Sequence, residues 1–291
     1  MAECQVAQPA LAVTPGGDPL EARELGKIMR TAWSGPLPVQ IATLSVCIPL
    51  AEMLAKTKQP ENPQDGLFLP VGVAYESLQV IKANLQDELP DWLILGPRQC
   101  GKSNFLACAA ATILDSAQPD WQVYVFGLRR SPLVDWARKQ ERLRVAASTE
   151  EAVRLCQEIT SLLNSPAGAE KRLLLLLDDL GAAFEVGKET VGAALNNLAT
   201  RCGSCNNVFI LAAGLLDEMR SQMASPLVRL LRQSRTGLGL TKDSTELDWL
   251  GYQPALQVRK LELVPGRGFW VSRGKAQMVQ TPLLGSCPPG K

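Results

Sequence analysis

Apolar residues in this chain fall into two regimes. From Asp91 onward, short unbroken apolar runs alternate with segments of helical period. "WLIL" (92–95) precedes a helix predicted from Lys102 to Asp115. "QVYVFG" (122–127) precedes "SPLVDWARK". "RLRVAA" (142–147) precedes "STEEAVRLCQEITSLLN", where Ser148 and Glu151 have capping-box spacing and Ala152, Cys156, Ile159 and Leu163 share one face. "RLLLLLDD" (172–179), a helix near 190–201 and "NNVFILAAG" (206–214) complete the series. Strands without apolar/polar alternation, separated by helices, predict a mostly parallel sheet with helices on both faces.

Before Asp91 the pattern is looser. Residues 7–19 are rich in Pro and Gly and read as a linker. A short helix is expected over 20–33 and strand character over 39–48, "VQIATLSVCI". A polar loop (57–66) follows, then "LFLPVGV" and "LQVIKANL", which predict a β-hairpin. At the far end, "RGFWVSRGKAQMVQ" (267–280) predicts a hairpin turning at Arg273–Gly274. The expected division is 1–66 as linker and extension and 67–291 as the main domain.

Composition narrows the chemistry. The chain has 291 residues, 30 Lys and Arg against 29 Asp and Glu, and no histidine. The missing histidine removes imidazole acid–base chemistry and most zinc sites. A net charge of +1 argues against a dedicated nucleic-acid binder. No apolar run reaches the roughly 18–20 residues that cross a bilayer, and no cationic-then-apolar leader opens the chain. A cytosolic location is expected, with any membrane docking through partners. The eight cysteines (4, 47, 100, 108, 156, 202, 205 and 287) are expected to be reduced thiols; Cys202 and Cys205 lack the further ligands a zinc site needs.

The chemistry concentrates in "LILGPRQCGKSN". Gly96, Pro97, Arg98, Gln99, Cys100, Gly101, Lys102 and Ser103 fit G-x-x-x-x-G-K-[ST] between a predicted strand and a predicted helix, with Asn104 next. Glycines let successive amides turn toward phosphate oxygens, and the helix start presents its positive end to the same anion. Lys102 is placed to reach the β- and γ-phosphates of ATP, and Ser103 to offer a hydroxyl to Mg2+. Asp178 and Asp179 emerge at the carboxyl end of the leucine strand, where open α/β sheets bind ligands. Asp178 is the candidate Mg2+ residue. Asp179 stands where hydrolysing enzymes carry a longer Glu that orients water; it either does that work or caps the next turn.

Other positions lean against strong catalysis. After "NNVFIL" the chain offers Ala212, Ala213 and Gly214, none able to sense a γ-phosphate. Arg229, Arg232 and Arg235 either reach a neighbouring subunit or form a solvated helix face. The basic run 127–144, with six cations and two acids, reads as a solvated helix with flanking loops or as a contact for phosphate or an acidic partner.

Several segments together resemble the terminal FtsK/SpoIIIE-like ATPase domain of the type VII secretion EccC/EssC family. They are "AWSGP" (32–36), "LPVGVAYESLQVIKANL" (69–85), "LILGPRQCGKSNFL", "VYVFGLRRSPL", "LLLLLDDL" and "LVPGRGFWVSRGKAQMVQ" (263–280), and the resemblance spans most of 20–284. It implies a RecA-like P-loop core within a multi-domain, membrane-associated ATPase. It also implies other ATPase domains or subunits as partners, and recognition of a small helical secreted substrate peptide. A DNA-translocating ATPase and a nucleotide-bound scaffold without hydrolysis are the competing readings.

Overall fold

A computed structural model describes residues 27, 29–32, 43–57, 66–85, 90–116, 118, 120–186, 190–203, 205–255 and 262–287. The chain forms two compact units, residues 1–42 and 43–291. In the first unit residues 27 and 29–32 are helical, within the helix expected at 20–33; the linker expected at 7–19 lies outside the described residues.

The second unit runs α1 (Leu50–Lys56), β1 (Phe68–Ala74), β2 (Val80–Asn84), β3 (Asp91–Leu95), α2 (Lys102–Asp115), β4 (Trp121–Phe126) and α3 (Pro132–Ala137). It continues through β5 (Leu143–Ala146), α4 (Thr149–Leu163), α5 (Pro166–Ala169), β6 (Arg172–Leu177), α6 (Leu180–Val186), α7 (Val191–Cys202) and β7 (Val208–Gly214). It closes with α8 (Leu216–Arg220), α9 (Pro226–Ser234), β8 (Gly237–Gly239), α10 (Ser244–Trp249), β9 (Arg267–Ser272) and β10 (Lys275–Gln280).

The strands join in one sheet of order β2-β1-β10-β9-β8-β3-β7-β6-β4-β5. The segment from β8 to β5 is parallel throughout. The β9–β10 and β1–β2 hairpins extend it in antiparallel fashion. This is the α/β, mostly parallel RecA-like architecture that the apolar pattern and the resemblance predict, with both hairpins where expected. The β9–β10 turn places Arg273 (φ 51°) and Gly274 (φ 74°) in left-handed conformations, as a tight two-residue hairpin requires.

The leucine strand explains why alternation is absent. Leu173, Leu175 and Leu177 enter one core cluster, with Ile159 of α4 and Leu195 of α7. Leu174 and Leu176 enter the other, with Leu106 and Ile113 of α2. Both faces of β6 are therefore dry. Each fully buried leucine contributes about 1.5–3 kcal/mol through removal from water. Helix α4 starts with the expected capping box: the Glu151 amide donates to Ser148 Oγ (3.2 Å), and the Ser148 amide donates to Glu151 Oε2 (3.3 Å).

Two expectations are corrected. Residues 43–48 form no strand: Ser45 Oγ donates to the Cys47 carbonyl (2.7 Å) and bends the chain, leaving only an isolated bridge from Pro49 to Leu283. Residues 39–42 of that expected strand lie outside the described residues. The thiols are not all reduced either, because Cys47 and Cys287 form a disulfide. Backbone bonds from Leu50 N to Leu283 O (2.9 Å) and from Leu283 N to Ile48 O (2.8 Å) bring those two distant segments side by side. Burial pushes the thiols of Cys108, Cys156 and Cys202 up to about 12, far from nucleophilic.

Candidate functional site

Parallel register carries the ends of β3, β7, β6 and β4 to one edge: Leu95 pairs with Gly214, Ala212 with Leu177, and Leu177 with Phe126. The loops that follow these strands enclose a cleft of about 460 Å³. Arg98, Gln99, Lys102, Ser103, Arg129 and Asp178 are among its walls.

The loop from Gly96 to Gly101 is shaped by three left-handed residues: Gly96 (φ 148°), Gln99 (φ 62°) and Gly101 (φ 112°). At Gly96 a Cβ would meet the Leu240 carbonyl oxygen at 2.7 Å, so glycine is required both by backbone angle and by space. Lys102 curls back, and its ammonium donates to the carbonyls of Gly96 and Pro97, each at 2.7 Å. The Cys100 carbonyl accepts from the Gly266 amide (2.8 Å). Gly266 belongs to the 263–280 segment that carries part of the resemblance. Gly268 of the same segment lies so close to β8 that a Cβ would sit 2.3 Å from the Gly239 carbonyl oxygen. The C-terminal hairpin thus braces the loop from behind. Asn104 faces the same C-terminal segment: its amide donates to Pro282 O (2.7 Å) and accepts from Leu284 N (3.0 Å).

Across the cleft, Ser103 Oγ donates to Asp178 Oδ1 at 2.9 Å. The other carboxylate oxygen accepts from Ser131 Oγ. Ser131 is itself fixed, because it N-caps α3 by accepting from the Leu133 amide (3.1 Å). Burial raises the Asp178 carboxyl above its ordinary range, and the two serine hydroxyls oppose the rise. A serine hydroxyl and a carboxylate at this separation are hard oxygen donors of the kind Mg2+ takes.

Asp179 is differently placed. Its backbone is left-handed (φ 56°), and its side chain accepts from Arg129 Nη1 at 3.1 Å. Arg129 also reaches Glu218 (3.4 Å) and bonds Glu185. One guanidinium therefore serves three carboxylates. Burial, followed by the charge of Asp179, pushes the Glu218 carboxyl upward. Glu218 Oε2 is buried with no hydrogen-bond partner among the described residues.

The structure brings the sequence-predicted Lys102, Ser103 and Asp178 to one cleft. The sequence reading, however, was incomplete. It missed Ser131, Glu218 and Gly266, and it left Arg129 inside a basic run. The signal for Ser131 was present, since Ser-Pro before an apolar run is a helix start. Nothing local marks Glu218, which becomes part of the site only through the fold. Of the rest of the basic run, Arg130 also borders the cleft, while Arg138 pairs with Glu151 and Arg144 with Glu158, both at 3.6 Å. Arg229 and Arg232 on α9 and Arg235 at its C-cap border a separate groove, with Arg232 stacked 5.1 Å from the Trp249 ring centre. Ala212 and Ala213 are fully buried and Gly214 has no side chain, so the end of β7 offers no polar side chain at the cleft.

No protein-family model matches the chain. Among curated proteins it is similar to the ESX secretion system protein EccC of Thermomonospora curvata, 24% identical over 276 residues. That alignment covers 88% of this chain and 20% of the relative, so the chain spans about a fifth of that protein's length. Among solved structures, its fold matches ATPases 2 and 3 of T. curvata EccC in complex with a signal sequence peptide. The TM-score is 0.66 at 22% identity, over 89% of this chain and 47% of that one. EssC (ATPases 2 and 3) of Geobacillus thermodenitrificans matches with a TM-score of 0.66 at 19% identity, over 90% of this chain and 49% of that one. The chain is thus similar in sequence to part of an EccC protein and shares the fold of the EccC and EssC ATPase regions.

Proposed function

We propose that residues 67–291 form an ATP-binding domain of a type VII protein-secretion ATPase, with nucleotide held in the cleft between the Gly96–Ser103 loop and Asp178. The observation that carries this reading is the approach of Ser103 to Asp178 beside Lys102. In it, the amides from Gly96 to Asn104 and the start of α2 receive the phosphates. Lys102 exchanges the two loop carbonyls for phosphate oxygens, and Ser103 and Asp178 hold Mg2+. Bound Mg2+ would neutralise phosphate charge. Asp179 is the candidate for orienting water.

Neighbouring ATPase domains and a helical secreted peptide are the proposed partners, by analogy with the relative solved with a signal peptide. The proposed location is the cytosolic face of a membrane, reached through partners; no described helix is long and apolar enough to cross one. A nucleic-acid partner is disfavoured by the balanced charge.

Thermal melting with Mg-ATP tests this. At a hundred times its dissociation constant, ATP adds about 2.7 kcal/mol, a rise of roughly 5 °C for a domain of this size. The rise is expected in the wild type and absent in Lys102→Ala. A wild type that melts identically with and without Mg-ATP refutes the reading. A scaffold that binds without hydrolysing is the second reading, favoured by the apolar end of β7 and by the ion pair that occupies Asp179.

A further inference from the structure

Building on the nucleotide reading above, we infer that Arg129 is a positioning residue that holds Asp179 in an ion pair, away from the attacking water, and so keeps turnover low while the pair persists. The inference starts from one loop. Residues 127–131 follow β4 and supply a partner to each of two adjacent acids: Ser131 to Asp178 and Arg129 to Asp179. The two partners differ in kind. A neutral hydroxyl leaves the charge of Asp178 free for a cation. A guanidinium neutralises Asp179 and fixes its orientation with a charge-assisted bond.

The surroundings make this pair hard to leave. Asp179 follows β6, Glu218 lies in α8 after β7, and Glu185 lies in α6, so Arg129 ties together three segments at the carboxyl edge of the sheet. Three carboxylates exceed one guanidinium, which favours keeping Arg129 where it is. Yet Arg129 also borders the cleft beside Arg98 and Lys102, and its side chain is about a third exposed.

The chemistry under control is hydrolysis. A water oxygen bonds to the γ-phosphorus, and the bond from that phosphorus to the β–γ bridging oxygen breaks. ADP leaves, and the water proton passes through the Asp179 carboxylate to solvent. An Asp179 held by Arg129 cannot align that water.

The test uses the whole chain, with Mg-ATP affinity measured by a fluorescent ATP analogue and turnover measured at saturating Mg-ATP. Arg129→Gln is expected to turn over at least fivefold faster with affinity within twofold of wild type. Arg129→Lys, which keeps the charge, is expected to stay near the wild-type rate. The gain is expected to vanish in Arg129→Gln/Asp179→Asn. Should Arg129→Gln fail to fold, Arg129→Met, which keeps the aliphatic stem, takes its place. A released variant that binds nucleotide but is no faster overturns the clamp, as does a gain that survives loss of the Asp179 carboxylate. A purely bracing Arg129 would lower stability without this split between rate and affinity. A wild type that binds no Mg-ATP overturns the nucleotide reading first, and the clamp with it.

Discussion

Ser103 and Asp178 stand 75 residues apart in sequence, yet the serine hydroxyl donates to the aspartate carboxylate at 2.9 Å. The first residue belongs to the start of α2 and the second to the end of β6. Their contact converts two sequence motifs into one site. Ser103→Ala is expected to remove a magnesium donor and to leave Asp178 buried with one hydroxyl fewer. ATP affinity measured with Mg2+ and with a chelator should differ about tenfold less in the variant than in the wild type. An unchanged magnesium dependence contradicts the assignment of Ser103.

Asp91 opens β3 and is buried, only 7% exposed. Burial raises its pKa from 3.8 to about 7. A raised carboxylate pKa means that the folded state prefers the proton. The associated stability is complete below pH 3.8 and is lost as pH climbs through 7. Asp91→Asn removes the cost of the buried charge. Denaturant unfolding should find the variant more stable than wild type at pH 8, by at most about 4 kcal/mol, with the gain gone near pH 4. A gain equal at both pH values contradicts burial as the cause.

How much of this was readable in the chain differs from element to element. The parallel sheet was legible because strands buried on both faces must be apolar at every position, as Leu173–Leu177 are. Lys102 and Ser103 were legible because the G-x-x-x-x-G-K-[ST] pattern has a fixed spacing within one loop. Arg129 was not, because its partners Asp179, Glu185 and Glu218 lie 50, 56 and 89 residues away and meet it only in the folded sheet. The disulfide was hidden for the same reason: it joins cysteines 240 residues apart. The three-residue strand β8 was also missed, since "GLG" carries no strand propensity; Gly237 is there because a Cβ would clash with Leu93 O at 1.9 Å.

The Cys47–Cys287 bond closes nearly the whole second unit into a loop. In the chain-entropy treatment, so long a loop stabilises by about 5 kcal/mol. Dithiothreitol should lower the melting temperature of the wild type. Cys287→Ser should melt near the reduced protein and show no further response to reductant. Equal melting with and without reductant contradicts a stabilising bond.

The central claim is that the cleft between the Gly96–Ser103 loop and Asp178 is a Mg-nucleotide site. Calorimetric titration of Mg-ATP into the purified chain tests it most directly. One nucleotide per chain is expected for the wild type, with affinity weakened at least tenfold by Lys102→Ala and by Asp178→Ala. No saturable binding at millimolar Mg-ATP, or binding unchanged in both variants, contradicts the claim.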